Sequence, residues 1–414
     1  MTHFTLVCHE CGARHAEAPA LYVCPACSLL QEPGGPTRGV LSVDIGADDL
    51  PRAWPRGALS TPEALAQFLP VASPASFFGY PVGGTPLLGV RGLRKRLGMP
   101  HLFVKDDTRN PSGSTKDRAS LLVVAKAREY GLKTVACAST GNAATALSAV
   151  GAAAGIETIV FVPASAPPAK LVQIASYGAR LVPVDGTYDQ AFDLSLIACK
   201  RFGWYNRNTA LNPYTLEGKK TAALEIAQDM APEGPDAVVV PTGDGVIVSG
   251  VAKGFGDLVK AGLLPRIPRL IAVQPEGSGP IARALRSGAA GITPEPGAGS
   301  VADSLVVAAP RNALLALKEV RASKGSGVLV SDDAILDAIP LLARTTGVFA
   351  EPAASAALAG LLVALEEGLV EKGERVVLLV TGTGLKDVPA AARRTRIPAP
   401  VPPILEAVAE FLAR

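Results

Sequence analysis

An α/β architecture of open parallel sheets, preceded by a small metal-binding ribbon, is what this sequence predicts, and three observations carry it. From His101 onward, short runs rich in β-branched residues alternate with stretches rich in alanine and leucine. The short runs are almost continuously apolar, as strands are when helices cover both faces of a parallel sheet. Near the N-terminus, four of the six cysteines fall into two close pairs.

The pairs Cys8/Cys11 and Cys24/Cys27 have the spacing C-x2-C-x12-C-x2-C. Thiolates two residues apart on a tight turn can bind one tetrahedral ion, and two such turns complete its coordination. Residues 1–35, ending in Glu32-Pro-Gly-Gly-Pro36, therefore read as a zinc ribbon. All four ligand positions are filled, so Zn2+ here would be structural. Two redox dithiols or incidental thiols are the alternatives, and neither explains two matched pairs. His9, inside the first knuckle, reads as a solvated turn residue. Residues 36–75, with prolines at 51, 55, 62, 70 and 74, read as an irregular extended arm. Strands are predicted over His101–Lys105, Thr134–Ala138, Thr158–Val162, Arg180–Val184, Ala237–Val240, Leu270–Val273 and Arg375–Val380. Cys137, in one of these runs, is expected in the core. Residues 393–414 form a tail, where Ile397-Pro-Ala-Pro-Val-Pro-Pro403 is a stiff linker into a last short helix.

At 414 residues the chain can build two domains with substantial cores. Hydrophobic residues at 48% against 19% charged exclude a disordered chain. A net charge of +3 argues against nucleic acid or an anionic membrane surface as a main partner. No apolar run reaches the ~18 residues of a membrane span. No basic segment followed by a long apolar one opens the chain, so a cytoplasmic protein is expected.

Three loop motifs carry the chemistry. Asn110-Pro-Ser-Gly-Ser-Thr-Lys116-Asp-Arg118 puts a lysine at a predicted helix start, where the helix dipole and desolvation lower an amine's pKa. Ser139-Thr140-Gly141-Asn142 follows a strand and opens an alanine-rich helix, so its N–H groups suit an anion, or its hydroxyls simply cap the helix. Pro241-Thr242-Gly243-Asp244-Gly245-Val246-Ile247 has the same strand-to-helix setting and can cradle a phosphate. Thr381-Gly-Thr-Gly-Leu-Lys-Asp387 ends the series, and Gly347-Val-Phe-Ala-Glu-Pro-Ala353 precedes it.

In this order and at these separations, the motifs resemble the fold-type II enzymes that use pyridoxal 5'-phosphate, with the threonine synthases nearest. The resemblance covers roughly residues 75–390, and the entry motif Gly84-Thr-Pro-Leu87 belongs to it. It implies two open parallel-sheet domains: a large cofactor domain from residues 76–118 and 206–392, and a small one from 119–205. It implies that Lys116 holds the cofactor aldehyde and is the main proton shuttle. Ser139, Thr140, Gly141 and Asn142 would receive the substrate carboxylate, Asn142 also touching the cofactor ring oxygen. Thr242, Gly243, Asp244, Gly245, Val246 and Ile247 would hold the cofactor phosphate. Thr381 would place a neutral hydroxyl at the pyridine nitrogen, which favours chemistry at the β and γ carbons over transamination. Glu351 would line the cofactor face or serve as a helix entry with Pro352.

The chain departs from the family in several places. Thr115 stands where phenylalanine is usual before the lysine. Asp244 and the missing second Gly-Asn pair depart from G-N-x-G-N. In Asn208-Thr-Ala-Leu-Asn-Pro-Tyr-Thr-Leu-Glu-Gly-Lys-Lys-Thr221, Ala210 and Thr215 replace a serine and an arginine that help hold a substrate phosphate. Arg207, Lys219 and Lys220 are the nearest replacement cations by sequence, with Thr140 and Thr215 as neutral donors to the substrate, though the two lysines read first as a solvated helix face. The implied activity is conversion of O-phospho-L-homoserine and water to L-threonine and phosphate by a homodimer. β-Elimination or β-replacement on a serine- or threonine-type substrate is the alternative, as in a dehydratase or a cysteate or cysteine synthase.

Overall fold

A computed structural model describes residues 3–32, 34–166 and 168–413. Its strands, in chain order, are β1 (Phe4–Cys8), β2 (Arg14–His15), β3 (Leu41–Ile45), β4 (Leu87–Leu88), β5 (Leu102–Asp106), β6 (Thr134–Ala138), β7 (Glu157–Pro163), β8 (Arg180–Val184), β9 (Tyr205–Asn206), β10 (Ala237–Pro241), β11 (Arg269–Pro275), β12 (Ser326–Val330) and β13 (Val376–Val380). They form three sheets, ordered β2-β1-β3, β12-β11-β10-β13-β5-β4 and β8-β7-β6-β9.

Each run predicted as a strand is one; all five residues of β10 and of β13 are buried, whereas β8, at a sheet edge, has none that is. The four-stranded sheet is parallel throughout. The six-stranded sheet is parallel except at its edge, where β4 runs antiparallel to β5, so it is mixed. Among the strands absent from the sequence reading, β4 and β9 are two residues long, and β12 is an edge strand interrupted by Gly327.

The stretch read as an irregular arm contains β3, which pairs antiparallel with β1 in the register Leu6↔Val43. The ribbon sheet thus draws its third strand from beyond residue 35. It packs on the main body rather than standing apart: Leu6, Val43 and Ile45 join the same core as Val238 and Val240. Lys126 and the hydroxyls of Tyr130 and Tyr214 meet the Glu17 carboxylate at 2.7, 2.7 and 3.0 Å.

The helix Pro352–Glu366 is buried along most of its length beneath the large sheet. A Cβ at Gly360 would lie 2.3 Å from Val273 Cγ2, so only glycine permits that approach. The helix Lys116–Glu129 is fixed by Arg118, which donates to Asp107 at 2.8 and 2.7 Å, to Glu225 at 2.6 and 2.9 Å and to Thr85 at 2.9 Å. By contrast, no residue of the last helix, Leu405–Leu412, is buried. Among the described residues no helix is long and apolar enough to cross a membrane.

Candidate active site

Segments far apart in sequence are stitched into one cluster around Lys116. The Thr115 N–H donates to the Thr381 carbonyl at 2.8 Å, and the Thr383 N–H to the Gly113 carbonyl at 3.0 Å. The Glu351 N–H donates to the Gly382 carbonyl at 3.1 Å. Isolated bridges join Ser114 to Gly382 and Ala350 to Thr383. A side chain at Gly382 would meet Glu351 Oε1 at 2.3 Å, so the glycine is what lets the two loops close. Thr381 is buried within this cluster.

Three helices begin at the predicted motifs; the N-cap residue caps none of them, though Ser114 Oγ accepts the Lys116 N–H at 3.4 Å. Lys116 is the first residue of its helix. The helix Asn142–Ala154 starts after Gly141, where Ser139 Oγ accepts the Gly141 N–H at 3.2 Å. The capping alternative for Ser139 and Thr140 therefore does not hold. Asn142 Nδ2 instead donates to Glu351 Oε1 at 2.8 Å, which places Glu351 in the site rather than leaving it a mere helix entry. The helix Val246–Lys260 starts after Gly245, whose φ of 91° favours glycine. A Cβ there would lie 2.9 Å from Ala316 Cβ, and one at Gly243 would lie 3.1 Å from the Ser304 carbonyl oxygen. First-turn N–H groups without side-chain partners suit anions.

Burial pushes the Lys116 amine down to about 8; Glu351 opposes the shift and Arg207 adds to it. Burial pushes the Glu351 carboxyl up to about 7, with Lys116 opposing. Asp244 is raised by burial, and its Oδ1 accepts the Arg311 N–H at 2.6 Å, which holds one oxygen of that carboxylate. An amine close to neutrality, glycine-lined loops and free helix N-termini fit the cofactor that the resemblance implies. Lys116 suits its aldehyde, the Thr242–Ile247 loop its phosphate, and Asn142 and Thr381 its ring.

The substrate side differs from expectation. Thr215 is buried, and its hydroxyl donates at 2.7 Å to the carbonyl of Asn212, the N-cap of its own helix Pro213–Lys219. It shares a small cavity with Ala210 and Val246. Lys219 and Lys220 are not on a solvated face; both are buried. Lys220 pairs with Glu217 and, at 2.7 Å, with Asp257. Lys219 Nζ and Arg207 Nη2 are buried without a hydrogen-bond partner among the described residues. A signal for Lys219 was present in the sequence: it lies four residues after Thr215, hence on the same helix face.

At the other end of the molecule, the sulfur atoms of Cys8, Cys11, Cys24 and Cys27 lie within 4.8 Å of one another, a group able to hold a metal. The Cys8–Cys27 and Cys11–Cys24 sulfur separations are both 3.7 Å. A tetrahedron with Zn–S bonds of about 2.3 Å has edges of about 3.8 Å. These short contacts run between the two C-x2-C pairs, as one shared ion requires and two separate dithiols do not. His9 is not solvated: its Nε2 is buried without a partner among the described residues, and burial pushes the imidazole down to about 4. Cys137 lies in the core as expected.

Comparison with known proteins agrees with this geometry. A family model described as pyridoxal-phosphate dependent enzyme matches residues 79–382. The threonine synthase of Methanocaldococcus jannaschii is 38% identical over 333 residues, 80% of this chain and 82% of that protein. The threonine synthase of Methanosarcina acetivorans is 36% identical over 390 residues, 93% of this chain and 92% of that protein. In fold, the structure of O-ureido-L-serine synthase superposes with a TM-score of 0.66 at 22% identity, covering 82% of this chain and 98% of that one. The chain belongs to the fold-type II family of pyridoxal-phosphate-dependent enzymes, close to the threonine synthases.

Proposed function

We propose that this protein is a threonine synthase, which converts O-phospho-L-homoserine and water to L-threonine and phosphate. One observation supports this most: the half-buried Lys116 sits with two motif helices that start without a side-chain cap and two buried basic side chains that have unpartnered donors among the described residues, an arrangement suited to a substrate anionic at both ends. Extensive identity to two threonine synthases, 38% and 36%, points the same way.

On this reading the bound cofactor supplies an electron sink for charge developing on the substrate carbons. Lys116, with a pKa near 8, is neutral often enough at physiological pH to take the proton from Cα. The same amine then serves Cβ and Cγ: Cβ gives up a proton, phosphate leaves Cγ, Cγ gains a proton, the hydroxyl of water adds at Cβ as its other proton is released, and Cα regains the proton it lost. Ser139, Thr140 and the Gly141 N–H hold the substrate carboxylate. Asn142, itself positioned by Glu351, would hold the ring oxygen, and Thr381 the ring nitrogen. Residues Thr242 to Ile247 hold the cofactor phosphate. The four ribbon cysteines hold a structural Zn2+. The functional unit is a cytoplasmic homodimer of chains with a large domain from 76–118 and 206–392 and a small one from 119–205.

The alternative β-chemistry is favoured by Ala210 and by Thr215, whose hydroxyl is committed to Asn212. Incubation with phosphohomoserine, phosphoserine, serine and threonine separates the two readings, with phosphate, ammonia and 2-oxo acid followed together. Threonine and phosphate from phosphohomoserine support the proposal. No phosphate from it, with turnover of serine or phosphoserine, replaces the proposal with the alternative.

A further inference from the structure

Among the described residues, the buried basic side chains are ion-paired except for two in one place. Lys105 reaches Glu225 at 2.8 Å, Lys126 reaches Glu129 at 2.7 Å, and Arg118 is fully engaged. Lys219, 1% exposed, has no hydrogen-bond partner for Nζ among the described residues. Arg207, 0% exposed, spends Nε on Ser120 Oγ at 3.2 Å and Nη1 on Thr209 Oγ1 at 2.8 Å, and Nη2 is unpartnered. Burying such donors without a partner costs roughly 1–3 kcal/mol or more each, so a fold retains them only where something else meets them.

Their surroundings are those of the reaction site. Lys219 ends the helix Pro213–Lys219, and its Cβ packs against Gly250, one turn into the helix that follows the glycine loop. Arg207 follows β9, and its N–H donates to the Ala136 carbonyl of β6, the strand that leads into Ser139. The ionisable groups facing Lys219 are Lys116, Arg207 and Asp244, and burial with the two cations holds its amine well below the ordinary lysine range. Thr215, where the resembling enzymes carry an arginine, is one helical turn back on the same face. The cation has moved along the helix by a turn.

We propose that Lys219 and Arg207 form a receptor for a phosphate ester in this site, taking the place of the family's arginine in selecting the substrate. The ammonium and one guanidinium N–H offer the point charge and the directed donor that a tetrahedral oxyanion accepts. Cofactor and substrate both carry such an ester on the reading above, on which the substrate's identity rests. The glycine loop and its helix N-terminus suit the cofactor's ester, which leaves the pair to the substrate's.

The test uses holoenzyme of wild type, Lys219→Met and Arg207→Gln, with inorganic phosphate as the probe. Calorimetry gives the phosphate affinity, absorbance titration the cofactor affinity, and thermal melting the stability. Each variant should weaken phosphate about tenfold or more, the size of one hydrogen bond to a charged group, with cofactor affinity at the wild-type value. Lys219→Met should melt no lower than wild type, because it removes an unpaired buried amine. A comparable loss in cofactor affinity, with phosphate unchanged, would overturn the proposal by assigning the pair to the cofactor's ester. Unchanged affinity for both overturns the proposal, and Lys219→Met decides alone if Arg207→Gln does not fold. Wild-type turnover of phosphohomoserine is scored separately. If it is absent while Lys219→Met still loses phosphate, the functional reading falls and the receptor stands. If it is present while both variants keep their phosphate affinity, the receptor falls and the functional reading stands.

Discussion

Lys116 and Glu351 face each other across the site, and each shifts toward neutrality because burial outweighs their mutual attraction. Replacing Lys116 by methionine should lower turnover by about 10³-fold, the contribution of a positioned proton-transfer group. Borohydride reduction followed by peptide mapping should then find no cofactor adduct at position 116; an adduct on another lysine in the wild-type protein would refute the assignment. Glu351 titrates at 4.5 when unfolded and at about 7 in the fold. Between these values the native state holds a proton that the unfolded chain has released, so stability falls as pH rises through the window. Glu351→Gln cannot titrate. In cofactor-free protein its stability relative to wild type should therefore grow from pH 4.5 to 7, by on the order of 2 kcal/mol. Urea unfolding at a series of pH values measures this, and a difference that stays flat would show that Glu351 is not neutralised by the fold.

The elements that present these residues are legible from sequence to different degrees. Apolar runs such as Val376–Val380 announce a buried strand by composition alone. The two-residue strands β4 and β9 carry no such pattern, since pairing with β5 and β6 makes them strands. The polar stretch Glu217-Gly-Lys-Lys220 looks solvated in sequence, yet its helix packs against Lys116–Glu129 so closely that a Cβ at Gly218 would lie 2.3 Å from the Arg118 carbonyl oxygen. Arg118 anchors that same helix, and so the position of Lys116, through Asp107 and Glu225. Arg118→Met leaves the buried Asp107 carboxylate without its cation and Glu225 with only Lys105, and should cost about 3–5 kcal/mol of stability. Chemical denaturation checks this; a loss under about 1 kcal/mol would mean the carboxylates find other partners.

For the whole molecule, the ribbon is part of the structure's support rather than an appendage. Its Glu17 accepts from Tyr214, which sits on the helix that also carries Thr215 and Lys219. Stripping the proposed zinc with a chelator under reducing conditions, or substituting Cys24→Ser, should lower the melting temperature by about 5 °C or more. Turnover per folded molecule should change far less. Metal analysis that finds no zinc in protein purified without chelator, with all four thiols freely titratable, would refute the site.

Local pattern and motif chemistry were enough, in the sequence by itself, to establish parallel α/β layering, the cysteine quartet and the loops at Lys116, Ser139, Pro241 and Thr381. These depend on near neighbours in the chain: continuous apolar runs, paired thiols, and glycines where a strand turns into a helix. Tertiary structure alone decided that β3 completes the ribbon sheet, that Glu351 meets Asn142, and that Lys219 and Arg207 are buried with donors unpartnered among the described residues. Each of these is a contact between segments brought together by strand pairing and crossover connections. The burial and the charges a residue meets there are set by residues far away in sequence.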